Sequence, residues 1–206
     1  MRKIDLKQEL KQLYSPSAKA VSVVEVPDIP FLMIDGVGDP NSAPAFSEAV
    51  EALYGVAYAL KFMLKRGPAA LDAVVMPLEG LWWADDMAAF TALDKASWRW
   101  TLMIAQPEQA TATLFEEALA EVARKKRLPG LAQLRYERFH EGLSAQIMHL
   151  GPYAAEGPTI AGLHRFIADH GYAPCGKHHE IYLGDPRKAA PEKMKTVLRQ
   201  PIETLI

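Results

Sequence analysis

Hydrophobic and polar residues change period several times along this chain, and the changes mark out alternating strands and helices. Residues 1 to 14 carry Ile4, Leu6, Leu10 and Leu13 among lysines and acids, the pattern of a short amphipathic helix or arm that Ser15-Pro16-Ser17 closes. Val21, Val23, Val24 and Val26 predict a strand from Ala20 to Val26, stopped by Pro27, and Phe31 to Asp35 predicts a second short one. After a glycine-rich loop, Ser42 is expected to cap a helix from about Ala43 to Lys65. Phe46, Val50, Leu53, Ala57, Leu60 and Leu64 form its core stripe, Tyr54 and Tyr58 lie one turn apart beside it, and Gly67-Pro68 ends it.

Two strand patterns follow, Asp72 to Trp83 and Ala96 to Gln106, joined by an Ala- and Asp-rich connection. The second places Trp98, Trp100, Leu102 and Ile104 on one face, whereas the consecutive Trp82 and Trp83 cannot both face inward from a regular strand. Pro107 opens a helix to about Lys126 with Leu114, Ala118 and Val122 inward. Ala132 to His140 and Leu143 to Leu150 read as a hairpin turning at Glu141-Gly142, and Gly151-Pro152-Tyr153 breaks its second strand. A third helix from Pro158 to Gly171 buries Ile160, Leu163, His164 and Ile167; the strand GKHHEIYL and a last strand from Lys195 to Pro201 complete the chain.

With 206 residues, half of them hydrophobic, the chain can bury a substantial core as one large domain or two closely packed halves. A net charge of −2 without a long basic block argues against direct nucleic-acid binding, and the basic run Arg124 to Arg127 suits a helix C-terminus. The single cysteine, Cys175, rules out an intrachain disulfide and a thiolate-rich zinc site. No apolar run approaches the ~20 residues of a membrane span and the N-terminus is too polar for a signal peptide, so a cytoplasmic, soluble protein is expected.

The stretch Gly176 to Arg187, GKHHEIYLGDPR, carries the most chemistry. On a strand, His178, Glu180 and Tyr182 share one face and His179, Ile181 and Leu183 the other, so a carboxylate lies between an imidazole and a phenol; Gly184-Asp185-Pro186 supplies the turn that ends the strand. A glutamate on a rigid strand can serve a site, or can be a solvated residue on a half-buried face. A metal site built on His178-His179-Glu180, with His140 or His149, is disfavoured because adjacent strand residues diverge. Nothing in the sequence specifies a base for Cys175 as a nucleophile.

The two halves also repeat one order of strand, Gly-Pro or Gly-Asp-Pro loop, helix, strand, connection and strand. FLMIDGVGDP matches AQIMHLGPY, LMIAQP matches VLRQP, and LEGLWW matches HEIYLG, which sets Glu79 opposite Glu180. The expected organisation is an N-terminal arm over 1–19 and one domain over 20–206, made of repeats at about 20–106 and 107–206. A pocket at their interface would be lined by Trp and Tyr.

The segments His149-Leu150-Gly151-Pro152-Tyr153, His179-Glu180-Ile181-Tyr182-Leu183-Gly184-Asp185-Pro186 and Lys195 to Pro201 together resemble the GyrI-like small-molecule-binding domain. Ala52-Leu53-Tyr54-Gly55 and Pro77 to Trp83 are similar to its free-standing branch, and the likeness extends over about residues 20 to 202. The resemblance implies an α+β fold of duplicated β-α-β-β modules with pseudo-twofold symmetry, their antiparallel sheets forming a concave aromatic cleft with helices outside. It implies that Glu180 reads positive charge in flat hydrophobic cations, or that the cleft hydrolyses cyclopropane-bearing DNA alkylators of the yatakemycin type. For hydrolysis Glu180 would be the base, with Tyr54 or Tyr182 as hydrogen-bond donor; Trp82, Trp83, Trp100, Tyr153 and His178 are the candidate walls. No cofactor or metal is expected. The alternatives are a non-catalytic drug-sequestering or sensing module, or an inhibitor of a protein partner such as DNA gyrase.

Overall fold

The computed structural model describes residues 2–68, 70–85, 95–184 and 190–205. The expected turn residues Asp185 and Pro186, and most of the connection after Trp83, lie outside them. The chain divides into two units, one comprising the chain up to Leu6 with Ile29–Phe139, the other Lys7–Asp28 with the chain from His140 onward.

The predicted arm is split between them. Strand β1 (Arg2–Ile4) pairs in parallel with β3 (Leu71–Ala73), and Ile4 joins Leu64, Leu71 and Ala73 in a core cluster of the first unit. Two single-turn helices follow, α1 (Leu6–Glu9) and α2 (Lys11–Tyr14), and Leu13 and Tyr14 are buried.

Two expected breaks do not occur. Strand β2 is continuous over Ser22–Val37, through Pro27 and Pro30. A proline ring suits extended backbone, and the ladder of β2 with β5 (Arg99–Ala105) begins only at Phe31 opposite Ala105, so neither proline must donate a bond there. Strand β6 likewise runs over Arg135–Leu150 where a hairpin was expected. The tight two-residue hairpin turns need positive φ at the first central residue or at both, and of Glu141 and Gly142 only the second has it, at +73°. The left-handed glycine is therefore accommodated within a continuous strand.

In the first unit β5 lies between β2 and β4 (Glu79–Trp83), antiparallel to both. Helix α3 (Pro44–Arg66) buries Leu53, Val56 and Leu60, each contributing roughly 1.5–3 kcal/mol, and its Leu64 joins the Ile4 cluster. Ser42 is not its cap. Ala43 holds that position, Pro44 opens the helix, and the Asp39 carboxylate organises the loop by accepting from the Asn41 backbone and side chain at 2.9 and 2.8 Å. Phe46 stacks on Trp82 and meets Trp100 edge-on, with ring centroids 6.1 and 5.3 Å apart, so this face of the sheet is the one α3 covers. Gly36 makes room for Trp100: a Cβ there would lie 2.1 Å from the indole ring. Helix α4 (Ala112–Lys125) starts five residues after Pro107, capped by the Thr111 hydroxyl, which accepts from the Leu114 N–H at 3.3 Å.

In the second unit β9 (Lys195–Thr204) lies between β6 and β8 (His178–Tyr182), again antiparallel to both, and β7 (Tyr172–Pro174) pairs with its end. Helix α5 (Gly157–Asp169) packs Leu163 and Ile167 on Ala145, Leu198 and Ile202. Leaving aside the short strands β1, β3 and β7, each unit has a long strand, a helix and two further strands, the last of which lies in the middle. The fold is α+β with antiparallel sheets. Among the described residues no helix is long and apolar enough to cross a membrane.

Candidate functional site

Strand β8 separates its two histidines as alternation requires. Glu180 pairs across the ladder with Leu198, whose side chain meets α5, so His178, Glu180 and Tyr182 lie on the face toward that helix. There the Tyr182 hydroxyl donates to Glu180 Oε2 at 2.8 Å, and His178 Nε2 lies 3.3 Å from Oε1. The expected carboxylate between imidazole and phenol is formed, with the Glu180 side chain 17% exposed. Tyr153, in a 3-10 turn before α5, meets the Tyr182 ring edge-on at 5.4 Å.

Behind Glu180 stands a group with no periodic signature in the sequence. Glu156, immediately before α5, is buried, and burial followed by repulsion from Glu180 pushes its carboxyl up to about 8. The Thr196 hydroxyl opposes that rise only in part; neither its oxygen nor Glu156 Oε1 has a well-aligned hydrogen-bond partner. Burial and the neighbouring His178 hold the His164 imidazole below its usual value. His149 is engaged elsewhere, its Nδ1 facing the Thr159 hydroxyl at 2.9 Å and its Nε2 the Pro152 carbonyl at 3.3 Å. For a neutral ring this puts the proton on Nε2, because a carbonyl can only accept.

On the opposite face His179 belongs to a different group. Its Nδ1 lies 2.9 and 3.0 Å from the two oxygens of Glu141, and Arg199 donates to Glu141 Oε2 at 2.9 Å. The three side chains are at most 3% exposed. Burial alone would raise the Glu141 carboxyl, but the charges and hydrogen bonds of His179 and Arg199 outweigh it and bring the value down to about 2. Arg199 also donates to Gln146 Oε1 at 3.0 Å and to the Leu13 carbonyl at 2.8 Å, tying the N-terminal segment down. The residue expected at a hairpin turn is thus the centre of a buried ion group.

The remaining candidates lie in the first unit. Tyr54 sits on α3 with its ring 6.4 Å from that of Tyr58, which is half exposed. Trp82 is buried between Phe46 and Trp98, Trp83 is partly exposed, and Trp100 is fully enclosed opposite Gly36. The correspondence of Glu79 with Glu180 fails by one ladder position. With Gln106 set on Gln200, Glu79 faces Met103, three residues earlier, while Glu180 faces Leu198, two residues earlier. Glu79 therefore matches Ile181 and points to the other face.

Comparison with known proteins agrees with these elements. The chain aligns over 97% of its length, at 40% identity and TM-score 0.89, with the whole of an uncharacterized conserved protein from Listeria innocua. It aligns over the same share, at 41% identity and TM-score 0.83, with the whole of a hydrolase from Listeria innocua. The C-terminal domain of EcmrR shares the fold at 13% identity and TM-score 0.55, over 90% of this chain and 98% of that one. No curated protein sequence matches. The sequence profile of one family matches residues 19–203, so the chain belongs to the GyrI-like small molecule binding domain family.

Proposed function

We propose that this protein binds flat, hydrophobic small molecules with Glu180 as the principal polar contact, and that it hydrolyses electrophiles of the cyclopropane-bearing alkylator type. The observation that carries the reading is the Glu180 carboxylate, held by the Tyr182 hydroxyl at 2.8 Å beside His178 and still partly open to solvent. A carboxylate so held is oriented, and Tyr153 and Tyr182 add aromatic surface on which a planar ring can stack. A bound cation recovers part of the cost of keeping that charge among aromatic rings. For hydrolysis, Glu180 takes a proton from water as the water oxygen attacks the cyclopropane carbon. The ring bond breaks, its electron pair passes to the conjugated carbonyl oxygen, and the Tyr182 hydroxyl, released from Glu180 as that carboxylate takes the proton, donates a hydrogen bond to that oxygen. The 41% identity to a hydrolase supports this reading over binding alone. The family description, a small molecule binding domain, equally supports a non-catalytic sequestering or sensing role.

We read the common strand order of the two units as the trace of a duplicated β-α-β-β module. The test is incubation of wild type and Glu180→Gln with a cyclopropane-bearing alkylator, followed by product analysis, beside titration with a flat aromatic cation. Ring-opened product from wild type alone supports the hydrolase. Binding without product leaves a sequestering protein, and neither binding nor product refutes the site.

A further inference from the structure

The reading above uses one carboxylate of a cluster that contains two. Glu156 occupies the cap position of α5, where an acidic side chain ordinarily accepts from the free N–H groups of the first turn, yet its side chain makes no such bond. The residue is 5% exposed, and its Oε1 is sealed from solvent without a hydrogen-bond partner. It faces Glu180 and Thr196 on the sheet, with His178 and Tyr182 beside Glu180 and His164 on α5 near His178. Glu180 supplies the charge that acts on it. Two ionised carboxylates so placed repel each other, and one proton relieves the repulsion.

We propose that Glu156 and Glu180 form a pair holding one proton, Glu156 as the neutral acid and Glu180 as the carboxylate, and that this pair sets which ligands the site accepts. The inference rests on Glu180 being the ligand's polar contact. Such a pair presents a hydrogen-bond donor beside an acceptor and carries a single negative charge. It suits a planar molecule with one cationic or donor nitrogen next to an acceptor carbonyl or ring nitrogen. A ligand whose positive charge approaches both carboxyls expels the shared proton, so cation binding is coupled to proton release.

The decisive measurement is a pH titration by NMR of the protein carrying carbon-13 at glutamate carboxyls, in wild type, Glu156→Gln and Glu180→Gln. One wild-type carboxyl should titrate near pH 8, vanish in Glu156→Gln and move down in Glu180→Gln. No glutamate titrating above the ordinary range, around 4, would overturn the pair. Calorimetry of ethidium binding at about pH 7, in buffers of different ionisation enthalpy, then reads the coupling. Wild type should release a proton on binding and Glu156→Gln should release none; equal release in both would also overturn it. If ethidium binds neither protein, the reading of Glu180 falls, while the NMR titration still decides whether the pair holds a proton.

Discussion

Replacing Glu141 by glutamine removes the charge at the centre of the buried group formed with His179 and Arg199. The carboxyl is held at about 2 against an ordinary 4.5. At about 1.4 kcal/mol per pH unit, that difference makes the ionised form worth roughly 3 kcal/mol to the folded state. The folded value is the lower one, so the stabilisation is complete above 4.5 and drains away as pH falls toward 2. Glutamine keeps one acceptor oxygen but leaves the Arg199 guanidinium buried without its counter-charge, which typically costs about 3–5 kcal/mol. Guanidinium unfolding at neutral pH measures the total. Because two units need not unfold together, amide exchange in β8 and β9 should be followed as well. The expected result is a loss of about 3 kcal/mol or more, with the acid-induced decline between pH 4.5 and 2 flattened. A variant within ~1 kcal/mol of wild type, with its acid limb unchanged, would refute the reasoning.

Other substitutions test other parts of the same account. Gly36→Ala places a methyl 2.1 Å from the enclosed Trp100 ring and should destabilise the first unit by about 1–3 kcal/mol or more, seen as a lower unfolding midpoint. Glu156→Gln should remove a pH dependence of stability. A carboxyl raised to about 8 favours the folded state fully below the unfolded value of 4.5, and that advantage is lost as pH rises through 8. The glutamine variant should therefore be the more stable protein in alkaline buffer, which thermal melts across that range check. Tyr182→Phe removes the hydroxyl that orients Glu180 and should weaken ligand binding about tenfold in a fluorescence titration, while Thr111→Ala, which strips the α4 cap, should cost about 1 kcal/mol of stability and leave binding unchanged.

Much of this architecture is legible in the spacing of apolar residues, and the failures have local causes. The stripe Leu53, Ala57, Leu60 and Leu64 and the pair Leu163 and Ile167 locate α3 and α5, because burial of one helical face leaves a clear period. Alternation in HHEIY likewise places Glu180 between His178 and Tyr182. Pro27 and Gly142 mislead because they are punctuation only where a donor is needed or a reversal can close; Pro27 precedes the ladder of β2 with β5, and Glu141 lacks the positive φ of a hairpin turn. Glu141 was hidden by the same error, since a turn residue is not expected to carry a buried charge. Glu156 has a different cause: an acid beside a helix start reads as a favourable partner for the macrodipole, and only the surrounding burial shows that its carboxyl is turned elsewhere. Ser42 failed as a cap because Asp39 had already closed the loop.

The bond from Arg199 to the Leu13 carbonyl joins residues 186 positions apart, and Gln146 reaches back 134 positions to the carbonyl of Gln12. During synthesis residues 7–28 emerge well before their partners on β9. At about 5–20 residues per second, residues 7–28 wait roughly 10–40 s for a place to dock. Leu13 and Tyr14 remain available to chaperones, proteases and other nascent chains throughout that interval. Docking of this segment therefore waits on β9, and pairings so far apart in sequence are the slow ones to form.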